Sequence, residues 1–92
     1  MDKISIITPT FNRASFLNDI YNNLSQYNDH IFEWIIIDDG STDMTKQIVK
    51  NFKNIFPIKY YFQNNSGKHV AVNNGMNFVE IQYTVILDSD DL

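Results

Sequence analysis

Blocks of apolar and polar residues alternate along this chain in a way that predicts four strands and three helices. Short apolar runs are typical of strands, and they occupy residues 4–7, 34–38, 58–62 and 83–88. Apolar residues recur with helical spacing over residues 14–27, 44–56 and 70–79. The predicted element order is therefore β-α-β-α-β-α-β.

This order predicts an α/β fold. Strands with nearly continuous apolar runs, separated by helices, indicate a parallel sheet that is covered on both faces. We expect an open, mostly parallel, Rossmann-like sheet of four strands in the order 3-2-1-4, with right-handed crossovers. The third strand is less purely apolar than the others, so we place it at a sheet edge. Trp34 and the aromatic residues of the third strand are interpreted as core or helix-covering residues and not as a platform for a sugar.

Local signals set the expected ends of the elements. Residues 8–13 are polar and contain Pro9, so they are predicted to form a loop. Ser41 or Thr42 is expected to cap the second helix, with Asp43 in its first turn and Pro57 just after its end.

Composition narrows the possible functions. Ninety-two residues suffice for one small domain, and a net charge of -4 argues against general nucleic-acid binding. The chain has no cysteine, which excludes disulfides and thiolate chemistry within it. Apolar runs too short for a bilayer, and no recognisable signal peptide, predict a cytoplasmic protein. The full-length protein is expected there or at the inner face of the membrane.

Polar segments follow all four predicted strands. These segments cover residues 8–13, 38–41, 63–69 and 88–91. In open parallel sheets, ligands bind beyond the carboxyl ends of the strands, near the point where the strand order reverses. The four segments therefore predict one binding site along that edge of the sheet.

The residues at this edge favour a phosphorylated ligand with a divalent metal. No G-x-G-x-x-G or Walker A pattern occurs, which disfavours a dinucleotide dehydrogenase or a P-loop NTPase. Asp88 and Asp90 form a D-x-D pair of hard oxygen ligands for Mg²⁺ or Mn²⁺. Because Mg²⁺ takes few carboxylates and completes its shell with substrate phosphates, a diphosphate is the expected ligand. Arg13 and Lys68 supply positive charge, and Asp39 is able to accept a hydrogen bond from a base or sugar.

Four segments together carry a family resemblance. They are "ISIITPTFNR", "WIIIDDGSTDMT", "NNSGKHVAVNNGM" and "VILDSDDL". In this order and spacing they resemble the N-terminal half of family 2 glycosyltransferases with the GT-A fold. The resemblance covers essentially the whole chain.

The resemblance implies binding of a nucleotide-sugar donor, usually a UDP-sugar, with Mn²⁺ or Mg²⁺. It implies glycosyl transfer to an acceptor hydroxyl, carried by an unknown glycan, lipid or protein. Asp39 would face the base, and Lys68 would lie near the uridine or the phosphates. Asp91 would orient its loop or bind the donor sugar. The resemblance places the ribose and metal contacts at Asp88 and Ser89, and the main metal ligand at Asp90. It places the nucleotide pocket at Thr8, Pro9, Thr10, Asn12 and Arg13.

No residue is identified as the catalytic base. In inverting members of the family the base lies well after the D-x-D motif. We therefore interpret residues 1–92 as the donor-binding half of a glycosyltransferase domain, truncated after that motif and inactive alone. We also expect self-association through the edge of the fourth strand, whose "YTVIL" segment carries no charge to discourage pairing.

Other interpretations stay open on the residues alone. An acidic pair after one strand and an aspartate after another also suit a receiver-like phosphoacceptor domain. A nucleotidyltransferase-type module, or a chain that binds nucleotide weakly or not at all, is a further alternative. Asp38 fits a helix cap as well as ligand contact. Lys68 fits an ordinary surface position, and Arg13 fits pairing with a nearby acid as well as with phosphate.

Overall fold

The computed structural model describes residues 4–27, 32–77, 79 and 83–87. The strands are β1 (Ile4–Thr10), β2 (Phe32–Asp39), β3 (Ile58–Gln63) and β4 (Tyr83–Ile86). The helices are α1 (Ala14–Leu24), α2 (Thr45–Asn51) and α3 (Lys68–Asn77). All described strand pairs are parallel, in the order β3-β2-β1-β4. This confirms the predicted α/β class, the 3-2-1-4 order and the edge position of β3.

The two faces of the sheet are covered by different helices. All eight residues of β2 are buried, and successive side chains of a strand point to opposite faces. Trp34 and Ile36 pack against α1 and α2, whereas Ile35 and Ile37 pack against Ala71 of α3. The nearly unbroken apolar run of this strand follows from burial on both faces.

Aromatic residues fill the space between the sheet and the pair of helices α1 and α2. The rings of Tyr21 and Phe52 stack with centroids 4.3 Å apart, and those of Phe32 and Phe56 lie 4.9 Å apart. Trp34 is fully buried, 5.9 Å from the ring of Phe52, which confirms its predicted place in the core. Such rings contribute large apolar areas, and a buried indole needs a partner for its N–H.

The first strand is longer than predicted. Residues 8–10 were expected in a loop, but they continue β1 in register with Ile36, Ile37 and Asp38 of β2. Pro9 lacks an N–H group for a ladder, and the described pairing of β1 with β4 ends before it, at Ile7 and Ile86. Pairing with the buried centre of the sheet therefore outweighs the loop tendency of Pro9.

The second helix is shorter than predicted at both ends. It begins at Thr45, so neither Ser41 nor Thr42 caps it; instead, Asp43 accepts a hydrogen bond from the Thr45 backbone N–H at 3.0 Å. It ends at Asn51, since Phe52 is extended with ψ near 133°. Phe52 and Phe56 are buried all the same, because tertiary packing and not a helical stripe brings them into the core.

Helix α3 packs closely on the sheet at Gly75. A Cβ atom at this position would lie 2.7 Å from Ile7 Cγ2 and 3.3 Å from Ile37 Cγ1. The absence of a side chain on Gly75 therefore permits the observed approach of helix to sheet.

Overpacking by Gly75→Ala forces neighbouring core atoms to move, and this typically costs about 1–3 kcal/mol. The higher helix propensity of alanine returns about 1 kcal/mol, so we expect the free energy of unfolding to fall by about 1–2 kcal/mol. Urea denaturation measures the effect, with Asn77→Ala at an exposed position of the same helix as the control. A Gly75→Ala variant as stable as the unsubstituted protein would contradict the close approach.

Candidate functional site

Three loops meet at the carboxyl edge of the sheet in the described part of the chain. They follow β1, β2 and β3 and comprise residues 11–13, 40–44 and 64–67. The loop after β4 was predicted to join them through Asp88, Ser89, Asp90 and Asp91, and these four residues lie outside the described residues.

Asp39, the last residue of β2, is a buried and highly bonded side chain at this edge. It is 5% exposed, and its two carboxylate oxygens accept three hydrogen bonds. Oδ1 accepts from Gln63 Nε2 at 2.8 Å and from the Ser66 N–H at 2.7 Å. Oδ2 accepts from the Gly67 N–H at 2.9 Å. Asp39 therefore holds the whole loop between β3 and α3 against the end of β2.

The same contacts keep Asp39 ionised. Burial alone would raise the pKa of its carboxyl group, but hydrogen bonds from Ser66, Gln63 and Gly67 outweigh burial and lower that pKa. An ionised carboxylate only accepts hydrogen bonds and has about four lone-pair sites. With three donors in place, Oδ2 retains one direction for a further donor.

Two amide side chains extend this network, and the sequence patterns missed the second of them. Gln63 donates to Asp39, and its Oε1 accepts from Asn74 Nδ2 at 2.6 Å. Gln63 fell within the predicted polar segment after β3, but Asn74 lies inside a helix. Its neighbour Asn73 is exposed. The position of Asn74 next to Gly75 indicates that it lies near the sheet. The sequence pattern does not indicate that Gln63 is its hydrogen-bond partner.

The loops after β2 and β3 touch at Gly40. This residue has φ near +85°, and a Cβ on it would lie 2.9 Å from the Asn65 backbone nitrogen. Only glycine combines this backbone conformation with such a close approach.

Asp38 serves the opposite face of the sheet. Its Oδ1 accepts from the Ser41 N–H at 2.9 Å, and its Oδ2 accepts from the Tyr60 hydroxyl at 2.6 Å. Burial and then this hydrogen bond raise the pKa of Tyr60. These contacts make Asp38 a support for the turn after β2. Asp38 does not cap α2, which begins at Thr45, and its contact with a ligand stays a prediction.

Asn12 joins the loop after β1 to the loop after β2. Its backbone N–H donates to Ser41 Oγ at 2.8 Å, and its Oδ1 accepts from the Thr42 and Asp43 N–H groups at 2.8 and 3.3 Å. The residue adopts φ near 52°, a conformation that asparagine tolerates better than most residues. Asn12 thus has a structural task, and its predicted contact with a ligand stays a prediction.

The predicted site residues of β1 are buried, and they differ in whether their side chains are hydrogen-bonded. Thr8 Oγ1 accepts from Trp34 Nε1 at 2.9 Å, and Pro9 is also buried. Thr10 is 3% exposed, and its Oγ1 has no hydrogen-bond partner in the part of the chain that the structure describes. Because an unpaired buried hydroxyl is costly, Thr10 is the residue of this group best placed to receive a ligand or a neighbouring loop.

The predicted cations lie at the same edge but on the surface. Arg13 is exposed, with its guanidinium 5.3 Å from the centre of the Phe16 ring. Lys68 is exposed at the first position of α3. No group of three or more metal-ligating side chains occurs within the described residues, and the proposed ligands Asp88 and Asp90 lie outside them. No described helix is long and apolar enough to cross a bilayer.

Comparison with known proteins identifies the family. The sequence profile described as glycosyl transferase family 2 matches residues 5–92. The chain belongs to this family. It is 36% identical over 91 residues to the teichuronic acid biosynthesis glycosyltransferase TuaG of Bacillus subtilis, covering 96% of the chain and 36% of TuaG. Membership favours a glycosyltransferase over the receiver-like and nucleotidyltransferase alternatives.

Solved structures show the same GT-A fold. Staphylococcus aureus TarS, residues 1–349, matches with a TM-score of 0.86 and 30% identity, covering 96% of the chain and 27% of TarS. That fragment has been crystallised with UDP and with UDP-GlcNAc. The mannosyltransferase PcManGT of Pyrobaculum calidifontis, in complex with GDP-Man and Mn²⁺, has a TM-score of 0.89 and 23% identity, a likeness of fold. It covers 97% of the chain and 28% of PcManGT.

We expect Asp39→Asn to lower the free energy of unfolding at pH 7 by about 1–3 kcal/mol, since an amide cannot accept all three hydrogen bonds. The pKa of Asp39 is lowered on folding, so its contribution is present above the unfolded pKa of about 3.9. This contribution is lost as the pH falls through the folded pKa. Urea denaturation between pH 3 and pH 7 should therefore show the difference narrowing toward low pH.

The exposed Asp19→Asn variant on α1 is the control for this series and should show little difference at any pH. A constant deficit of Asp39→Asn across the pH range would mean that the charge of Asp39 has no part in stability.

Proposed function

We propose that the carboxyl edge of this sheet binds the nucleotide part of a UDP-sugar, together with Mg²⁺ or Mn²⁺, for glycosyl transfer to an acceptor hydroxyl. The observation that carries the proposal is Asp39, a buried carboxylate with one acceptor direction left at the edge where α/β sheets bind ligands. The complexes of TarS with UDP and UDP-GlcNAc support the choice of donor.

The charge state of Asp39 limits what it can recognise. An ionised carboxylate accepts hydrogen bonds and repels other acceptors, so the facing ligand group must be an N–H or O–H donor. The imide N–H of uracil is such a donor, whereas the corresponding ring nitrogen of cytosine is an acceptor. Asp39 therefore favours uracil over cytosine at this position.

The other predicted donor contacts are distributed around Asp39. Thr10 offers its unpaired hydroxyl, and Asn12 offers atoms of the loop after β1. Arg13 and Lys68 add positive charge at the edge, where phosphates carry negative charge. We place the nucleotide among these residues, with Thr8 and Pro9 supporting the strand beneath it.

Asp88 and Asp90, with Ser89 between them, are the residues that would hold the metal. Carboxylate oxygens are hard ligands that suit Mg²⁺ and Mn²⁺, and phosphate oxygens complete the shell. When bound, a divalent cation stabilises the charge that develops on a departing diphosphate. The three aspartates at residues 88–91 repel one another and the donor phosphates, so the cation also offsets this repulsion.

The chain spans only part of its relatives, from 13% of the length of a Streptococcus pneumoniae glycosyltransferase to 36% of TuaG. We propose that residues 1–92 contribute donor binding and that other parts of such an enzyme supply the acceptor site and the catalytic base. By themselves these residues are expected to bind the donor without transferring sugar.

Calorimetric titration of UDP tests this proposal. We expect binding that tightens when Mn²⁺ is present, because Asp88 and Asp90 would hold the cation and its charge would offset that of the diphosphate. Asp90→Ala should weaken binding at least about tenfold in the presence of Mn²⁺ and leave the weaker metal-free binding unchanged.

Asp19→Ala, at an exposed site on α1, is the matched control and should bind UDP like the unsubstituted protein. UDP binding that responds neither to Mn²⁺ nor to Asp90→Ala would overturn the metal-assisted donor site.

The outer edge of β4 supports a separate proposal, that two copies of this chain pair through it. In the described sheet, β4 is an edge strand that pairs only with β1, and Val85 and Ile86 are 49% and 44% exposed. An unprotected apolar edge strand presents free backbone groups to another strand.

We expect concentration-dependent dimerisation in sedimentation velocity and its loss in Val85→Lys, since a lysine on an edge strand opposes pairing. Val70→Lys, on the exposed surface of α3, should leave dimerisation unchanged. A protein that stays monomeric at the highest concentration reached would refute pairing through this edge.

A further inference from the structure

A line of three side chains runs from helix α3 to the carboxyl edge of the sheet. Asn74 Nδ2 donates to Gln63 Oε1 at 2.6 Å, and Gln63 Nε2 donates to Asp39 Oδ1 at 2.8 Å. Asn74 is half-buried beside Gly75, where helix and sheet come closest. The line therefore connects the packing of α3 with the carboxylate at the end of β2.

Only one orientation of each amide fits this line. Ionised Asp39 accepts hydrogen bonds and donates none, so Gln63 must present its NH₂ group to Asp39. The carbonyl oxygen of Gln63 then faces α3 and requires a donor, and Asn74 must present its own NH₂ group. The order of donors and acceptors is thus set by the charge on Asp39.

The two oxygens of Asp39 have different neighbours. Among the described residues, Oδ1 receives both Gln63 and Ser66, whereas Oδ2 receives only Gly67. With two donors, Oδ1 is fully occupied, and the free acceptor direction belongs to Oδ2.

We propose that Gln63 and Asn74 are positioning residues, which hold Asp39 so that Oδ2 accepts a hydrogen bond from the base of the nucleotide donor. This inference rests on the proposed function above. Neither amide contacts the donor; Gln63 acts through Asp39, and Asn74 acts through Gln63. Recognition of an N–H donor therefore depends on Asn74 of α3, which lies outside the loops of the site.

Asn74→Asp reverses the line with a change of one functional group. A carboxylate at residue 74 only accepts, so it competes with Asp39 for the NH₂ group of Gln63, and we expect Gln63 to turn that group toward α3 and its oxygen toward Asp39. Two acceptors then face each other, which disfavours the ionised form of Asp39. We expect the pKa of Asp39 to rise relative to that of the unsubstituted protein, and UDP to bind about tenfold more weakly.

Other titratable groups near Asp39 do not change in this variant. Asp38 is adjacent on β2 but points to the other face, where it binds Ser41 and Tyr60. Tyr61 lies on the α3 face of β3, and Lys68 follows Gly67 at the start of α3. Because none of these is altered, a change in the pKa of Asp39 reports the contact with Gln63 and the added charge.

Asn77→Asp controls for the added charge. It places the same carboxylate at an exposed position of the same helix, without contact to Gln63. We expect it to keep both the pKa of Asp39 and the affinity for UDP close to those of the unsubstituted protein. Asn74→Ala, which removes the donor without adding charge, should weaken UDP binding by a smaller factor of about three.

The experiment combines carbon NMR titration of the Asp39 carboxyl group in the free protein with calorimetric titration of UDP. Nuclear Overhauser effects from the Gln63 side-chain amide to the Ser66 N–H report which end of Gln63 faces Asp39. These effects should be present in the unsubstituted protein and in Asn77→Asp, and absent in Asn74→Asp. If Asn74→Asp does not fold, Asn74→Ala carries the same comparison.

A rise in the pKa of Asp39 together with weaker UDP binding in Asn74→Asp supports the proposal. An unchanged Asp39 pKa and unchanged Gln63 contacts overturn the positioning role. A changed pKa with unchanged UDP affinity overturns the link between Asp39 and the base. If the unsubstituted protein binds no UDP, the proposed function fails, while the NMR comparison still decides whether Gln63 and Asn74 orient Asp39.

Discussion

The burial of β2 is the constraint on which this structure depends. All eight of its residues are buried, including the two aspartates at its carboxyl end. A buried carboxylate is costly unless it is hydrogen-bonded, so Asp38 and Asp39 must find donors in the loops around them. The turn after β2 and the loop after β3 supply those donors, and the edge of the sheet is ordered as a result.

Successive side chains of a strand point to opposite faces, so these two aspartates have different partners. Asp38 points to the face of α1 and α2 and satisfies both of its oxygens with Ser41 and Tyr60. Asp39 points to the face of α3 and uses the loop after β3. One carboxylate is thus committed to the fold, while the other retains an acceptor direction and an ionised state that suit ligand recognition.

The two helical layers support this edge in different ways. On one face, large aromatic rings such as Trp34 and Phe52 form a thick core that anchors the centre of the sheet. On the other, Ala71 and Gly75 let α3 approach the strands closely. That short distance brings Asn74 within reach of Gln63, so small residues in a helix give a polar side chain access to the site.

The sequence by itself determined the element order, the parallel 3-2-1-4 sheet, the edge position of β3 and the edge at which polar residues gather. These features follow from apolar periodicity, which is a local property of the sequence, and from the geometry that all parallel sheets share. The motifs also indicated the family, and the profile of that family matches residues 5–92.

Tertiary structure alone decided that β1 continues through Thr10 and that Phe52 and Phe56 reach the core outside a helix. It also decided which hydrogen bonds each of the two aspartates accepts. Pattern shows which face a residue points to, but the partner it meets there depends on contacts between distant segments, such as Asp39 with Gly67 and Gln63 with Asn74.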